Sequence, residues 1–340
     1  MIDLNIIWFL LVGVLIIGYA ILDGFDLGVG ILHFFAKDDN EKRVNLNAVG
    51  PVWDGNEVWL LTGGGAIFAA FPVVYATVFS GFYLAMILLL FGLIARAVSF
   101  EFRKHSHDDK MKKVWDLAFV FGSFLPALLY GVAFGNILNG IPIGYNAQYF
   151  GNFFTLLNPF SVLVGLVGLF MFIMHGAIYM TIKSTDNQQK KMFTFAKNSY
   201  YIFVGLYIIA TIYAYIGSNY LFADSFSNPI FYVLVILLLG SIIYIPIGLK
   251  AKKTGYTFTA SSVMIATIIL ISALAIFPRL APSSINLEKY SLTIYNASAS
   301  QNTLVVMLIM ALIGMPVVIG YSIYIYRVFK GKVILGDDGY

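Results

Sequence analysis

Asp23 and Asp26, three residues apart in "YAILDGFDLGVG", lie within an apolar run, and Asp54 and Glu57 repeat that spacing in "WDGNEVW". A carboxylate in hydrocarbon costs about 2.5–3.5 kcal/mol on insertion scales, so it is retained to handle ions or protons, or to pair with a buried cation. Residues at i and i+3 share one face of a helix, so each pair presents two carboxylates side by side. Arg96 is the cation that falls inside the same set of runs and is the candidate charge partner. A carboxylate can pass protons only if it can ionise and be hydrated, which makes Asp54, Asp23, Asp26 and Glu57 the candidate members of a proton path. For any one of them, capping a helix or holding a bundle together is an equal explanation. Four at one depth favour a route for protons or ions.

The elements that must position these groups are membrane helices. The 340 residues are 60% hydrophobic and 11% charged, against roughly 45–50% apolar and 25% charged in soluble domains. The whole chain, 1–340, therefore reads as one integral membrane domain. It contains no cysteine, which excludes a disulfide framework, a thiolate metal site and a Cys nucleophile. A net charge of +4 without an aromatic-interleaved basic patch gives no sign of nucleic-acid binding. The glycines at 28–30 and 63–65 lack the strand-then-helix context of a nucleotide loop. They suit close helix approach instead, beside the aspartates at Gly24 and Gly28 and along the second span at 63–65. No two histidines share an apolar run at haem or metal spacing, so this chain is expected to bind no cofactor or metal by itself. His175, the ionisable group of the later runs, reads as a packed polar residue.

Uncharged apolar runs near 6–33, 48–71, 74–98, 114–138, 158–182, 199–217, 229–249, 257–278 and 302–327 predict nine transmembrane helices in an all-α, polytopic fold. A single helix over 57–103 would be about 70 Å long, so the chain must turn near Pro72. Asp54 then falls about two turns inside the cytoplasmic end of the second span. Lys and Arg cluster after the first, third, fifth, seventh and ninth spans, while the opposite loops hold only Arg279 and Lys289. The positive-inside rule puts the N-terminus outside and the C-terminus in the cytoplasm. The expected grouping is a carboxylate-rich four-helix bundle over 1–140, a second four-helix bundle over 141–280, and an external loop with a peripheral ninth helix over 281–340. The outer loops 136–157 and 279–301, rich in Asn, Tyr and Phe, suit an interface or a covered partner surface better than open solvent.

"GYAILDGFDLGVGIL" and "GPVWDGNEVWLLTGGGAIFAAFPVVYATVFSGFY", with "GSFLPALLYGVAFGN", "GNFFTLLNPF" and "SLTIYNASASQNTL" further on, resemble subunit II of the cytochrome bd-type quinol oxidases along essentially the whole chain. The resemblance implies a heterodimer with a haem-bearing subunit I of related nine-helix fold, often joined by a small single-span subunit, in the bacterial cytoplasmic membrane. Haems b and d and the quinol site would belong to subunit I, and a structural quinone or lipid is a further guest to expect. The complex would oxidise quinol and reduce O2 to water with protons taken from the cytoplasm. The Asp of the Trp-Asp-Gly-Asn motif, which belongs to a hydrophilic path at the subunit interface, maps onto Asp54, and the two aspartates of the DGFD motif map onto Asp23 and Asp26. Two rivals come from other classes. A self-contained cation-coupled transporter would use the carboxylates to bind Na⁺ or H⁺, and a structural scaffold would use them only to hold the bundle.

Overall fold

The computed structural model describes residues 3–223 and 225–335. The chain forms helices α1 (Leu4–Leu32), α2 (Asp39–Val49), α3 (Trp53–Ala70), α4 (Pro72–Gly81), α5 (Tyr83–Lys104), α6 (Asp109–Asn139), α7 (Pro159–Lys183) and α8 (Asp186–Gly217). These are followed by α9 (Tyr220–Ala223), α10 (Pro229–Lys250), α11 (Thr254–Ile276), α12 (Leu287–Tyr290) and α13 (Gln301–Val328). Local chemistry sets many of the boundaries. Asp3 caps α1 by accepting the Asn5 amide at 2.9 Å, and Asn158 and Asn228 cap α7 and α10, each ahead of a proline at the first helical position. Such caps satisfy amide groups that the helix itself leaves open.

Among the described residues eight helices are long and apolar enough to cross a membrane: α1, α5, α6, α7, α8, α10, α11 and α13. The chain is thus a polytopic all-α membrane protein. The 18-residue α3 falls outside that set, because Asp54, Asn56, Glu57 and three consecutive glycines lower its hydropathy.

The runs and the helices differ in instructive places. Where one run spans 48–71, the amphipathic α2 ends at Val49 and α3 begins at Trp53, so Asp54 sits in the first turn of α3 and not two turns inside it. The backbone leaves helical geometry at Phe71 (φ −133°, ψ 62°) and Pro72 opens α4. A second break at Phe82, with no charge or proline to announce it, separates α4 from α5, so the run at 74–98 becomes a short helix and a longer one that continues to Lys104. At the other extreme α8 starts at Asp186, since the Lys-rich segment before residue 199 continues the same helix.

α1 is central and packs against α3, α6, α7, α11 and α13. Its closest crossing is with α7: a Cβ on Gly28 would lie 2.0 Å from the Phe172 carbonyl oxygen, and one on Gly176 would lie 2.6 Å from the Gly28 backbone. Only residues without side chains fit there. The triple glycine differs from the sequence expectation, because a Cβ on Gly64 or Gly65 would meet open space within this chain. α5 packs on α6, α6 and α8 on α7, and α10 on α11. α13 rests against α1 and α3 with Leu304 buried at its start.

The two long loops, 136–157 and 279–301, cover each other. β1 (Arg279–Ala281) pairs antiparallel with β2 (Leu292–Thr293), and Ile141 bridges to Ser283. Ile141, Ile143, Ala281, Ile294 and Ala297 are completely buried in this cap. At the far end of the bundle the tail after α13 is fastened to the end of α7. Lys183 donates to the Phe329 carbonyl, Lys332 donates to the carbonyls of Ser184 (2.7 Å) and Thr181 (3.1 Å), and the Val333 amide donates to the Lys183 carbonyl.

Candidate functional site

Asp23 and Asp26 occupy the buried half of α1, where they are 0% and 1% exposed. Arg96, from α5, is 1% exposed and donates through Nη2 to Asp23 Oδ1 at 2.7 Å. The same Nη2 reaches Glu57 Oε2 on α3 at 3.4 Å. The second oxygen of Asp23 accepts the Tyr19 hydroxyl at 2.7 Å, and Tyr19 is itself 2.7 Å from the hydroxyl of Tyr130 on α6. Because Tyr19 has one proton and gives it to the carboxylate, the Tyr130 hydroxyl is the donor in the tyrosine pair.

Asp26 is held differently. Its Oδ2 accepts from Asn56 Nδ2 at 2.7 Å, and the same amide nitrogen lies 3.3 Å from the Leu22 carbonyl. Asn56 Oδ1 accepts the hydroxyl of Tyr326, on α13, at 2.9 Å. The amide orientation follows from these neighbours, two acceptors on one side and a hydroxyl donor on the other. Asp26 Oδ1, Arg96 Nε and Arg96 Nη1 are buried without a hydrogen-bond partner among the described residues. Asp23, Arg96 and Glu57 all lie within electrostatic reach of Asp26.

The structure thus gathers Asp23, Glu57 and Arg96 into one direct contact set and attaches Asp26 to α3 through Asn56. It does not bring Asp54 into that contact. Asp54 is exposed at the first turn of α3, where a carboxylate suits the positive end of the helix dipole. It lines a cavity of about 470 Å³ together with Trp53, Asn56, Tyr321, Ser322 and Tyr326. Asn56 and Tyr326 therefore stand between that cavity and Asp26.

A second buried charged cluster lies at the end of the bundle that bears the basic loops. Asp116 on α6 receives the side chains of three donors: His33 Nε2 at 2.9 Å, Lys42 Nζ at 2.8 Å, and Arg103 Nε. Arg103 also binds Asp39 at 2.7 Å. In the sequence Asp116 falls at the start of the 114–138 run and Arg103 among the basic residues after the third; His33 carries no signal, because its partner Asp116 is 83 positions away. Tyr19, Tyr130, Asn56 and Tyr326 were missed for a related reason: uncharged polar side chains in apolar helices are common, and only the fold says which of them touch a carboxylate.

His175 is fully buried in the packed core, stacked on Phe258 with ring centroids 4.6 Å apart. Its Nε2 lies 3.1 Å from the Ile21 carbonyl, which can only accept, so the proton is on Nε2 and Nδ1 accepts the Ser261 hydroxyl at 2.7 Å. Among the described residues no group of three or more His, Cys, Asp or Glu side chains is arranged to hold a metal ion. Nor do the histidines fit a haem: the two buried ones, His33 and His175, are committed to hydrogen bonds, and His105 and His107 are exposed on the surface.

Comparison with known proteins is decisive for the family. The family described as cytochrome bd terminal oxidase subunit II matches residues 4–329. The chain belongs to that family. It is 38% identical to the cytochrome bd-I ubiquinol oxidase subunit 2 of Escherichia coli K12, over 98% of this chain and 96% of that protein. It is 36% identical to the cytochrome bd ubiquinol oxidase subunit 2 of Bacillus subtilis 168, over 98% of both. The fold is similar to that of a chain in the solved bd oxidase of Geobacillus thermodenitrificans, with a TM-score of 0.81 at 15% identity, covering 96% of this chain and 99% of that one. The transporter reading finds no support among these relatives. Membership of subunit II also implies that haem serves the assembled complex.

Proposed function

We propose that this subunit II works beside a haem-bearing subunit I, which holds haems b and d, in a bacterial plasma-membrane complex that oxidises quinol and reduces O2 to water. Its own contribution is a proton-uptake path through Asp54, Asp26, Asp23 and Glu57, with Arg96 as the fixed countercharge. The observation that carries this reading is a charge imbalance: three carboxylates surround one guanidinium in a buried site, and the cavity lined by Asp54 and Asn56 adjoins it. Three carboxylates against one guanidinium leave negative charge that an arriving proton can balance, and alternate loading and release of a proton is what a path requires. A small single-span subunit and a structural quinone or lipid are compatible guests of the assembled complex.

The membrane arrangement proposed with it has nine spans, α3 being the ninth, grouped as two four-helix bundles and the peripheral α13, with the N-terminus outside and the C-terminus cytoplasmic. The regular alternation of Lys and Arg supports it. A reporter fused after Lys332 should read cytoplasmic and one in the 140–150 loop external; the reverse would end the nine-span arrangement. The path itself is tested by Asp26→Asn in the assembled oxidase. A normal haem spectrum with turnover per haem reduced several-fold supports it, and undiminished turnover removes Asp26 from the path.

A further inference from the structure

α13 is an outlying helix, yet it sends one side chain to the carboxylate site. The Tyr326 hydroxyl donates to Asn56 Oδ1 at 2.9 Å, and Asn56 Nδ2 in turn donates to Asp26 Oδ2 at 2.7 Å. Asn56 is 2% exposed and its amide is the one described side chain that hydrogen-bonds Asp26. Asn56 and Tyr326 both line the cavity that Asp54 borders, whereas Asp26 does not. The Asn56–Tyr326 pair is thus the part of the cavity wall that reaches Asp26 through hydrogen bonds.

An asparagine amide has a donor end and an acceptor end of nearly equal size, and only its neighbours decide which faces which way. The Tyr326 hydroxyl supplies the donor that fixes Oδ1 outward and so directs Nδ2 at the carboxylate. Without it Nδ2 still has its two acceptors, Asp26 Oδ2 and the Leu22 carbonyl, but the far end of the amide loses the bond that anchors Oδ1 and holds the amide plane against the carboxylate. The ring of Tyr326 is also placed, edge-on to Phe25 of α1 with centroids 6.4 Å apart and an interplanar angle of 75°. Three residues beyond it, the clamp between the tail and the end of α7 begins at the Phe329 carbonyl.

We infer that Tyr326 is a positioning residue for proton transfer at Asp26: it orients the Asn56 amide so that Asp26 Oδ2 is held and Oδ1 is left as the proton-exchanging oxygen. The inference rests on the proton-path reading and assigns the atom and the supporting residue within it. The proton passes from hydronium on the cavity side to Asp26 Oδ1, giving water and the neutral carboxylic acid, and then leaves for a carboxylate acceptor, restoring the Asp26 carboxylate, so that only O–H bonds are broken and made.

The test uses the complete oxidase with Tyr326→Phe, which keeps the ring and removes only the hydroxyl. Losing one orienting hydrogen bond, about 1 kcal/mol, corresponds to a turnover roughly fivefold slower. Haem content and the KM for quinol should stay as in the unmodified enzyme, and the solvent deuterium isotope effect on turnover should rise because proton delivery becomes limiting. In the double variant Asp26→Asn with Tyr326→Phe, turnover should match that of Asp26→Asn alone, since Tyr326 acts only through Asp26. If Asp26→Asn is slow while Tyr326→Phe has unaltered turnover and isotope effect, the role of Tyr326 is wrong and the path stands. If Asp26→Asn itself turns over normally, Asp26 is not on the path and this inference fails with it. Additive losses in the double variant, or lost haem in Tyr326→Phe, would make Tyr326 a packing residue and overturn the proposal.

Discussion

Two buried charged clusters lie in the same half of this subunit and are built on opposite principles. At Asp116 one carboxylate takes Arg103, Lys42 and His33, and Asp39 completes the set, so each carboxylate oxygen of Asp116 has a cationic or imidazole partner. At Arg96 one guanidinium serves Asp23 and Glu57 while Asp26 depends on a neutral amide, and three polar atoms of Asp26 and Arg96 have no partner among the described residues. In the Asp116 cluster the charges are matched, with His33 Nδ1 the one ring nitrogen left without a partner among the described residues, and the contacts tie the end of α1 to α2, α5 and α6. An under-compensated one changes state readily when a proton arrives. Buried charge alone therefore does not mark function, and the balance of donors and acceptors separates the two.

That contrast can be broken most severely at Arg96. Arg96→Gln leaves Asp23 buried without its cation, and removing one partner of a buried pair costs about 3–5 kcal/mol. Most of the assembled, haem-loaded complex should be lost, read as haem per milligram of membrane protein; normal assembly would mean that the carboxylates do not need the guanidinium. Asp116→Asn should do less. It weakens three donor contacts at the end of the bundle that bears the basic loops, costing about 1–3 kcal/mol, so the melting temperature should drop by several degrees while turnover per haem is unchanged. A fall in turnover per haem at unaltered stability would move the Asp116 cluster from structure to proton handling.

Much of this organisation was legible from residue types. The i,i+3 carboxylates in "DGFD" and "WDGNE" announced themselves because charge is costly in an apolar run, and Arg96 stood out for the same reason. The apolar runs located most of the helices, and the turn at Pro72 followed from length alone. What escaped was uncharged or local. The break at Phe82 has no proline or charge, and α2 is too polar to register as a span. Asn56 and Tyr326 look like any polar residues in a helix until α13 is laid against α3. The first turn of α3 mattered too: a boundary moved from 48 to 53 carries Asp54 from the interior to the surface, where it borders a cavity and no longer touches the other carboxylates.

The account stands or falls on whether Asp54, exposed at the cavity mouth, delivers protons to the buried group behind it. The direct measurement is O2 reduction per haem by the assembled oxidase carrying Asp54→Asn, alongside its haem spectrum and yield. The substitution keeps size and hydrogen bonding while removing titration. Turnover per haem reduced several-fold with haem content and yield intact is the predicted result, with Glu57→Gln milder because its neighbours Asp23 and Asp26 keep their carboxyl groups. Unchanged turnover per haem, whatever happens to the yield, would contradict the claim and leave Asp54 as a helix-terminal charge.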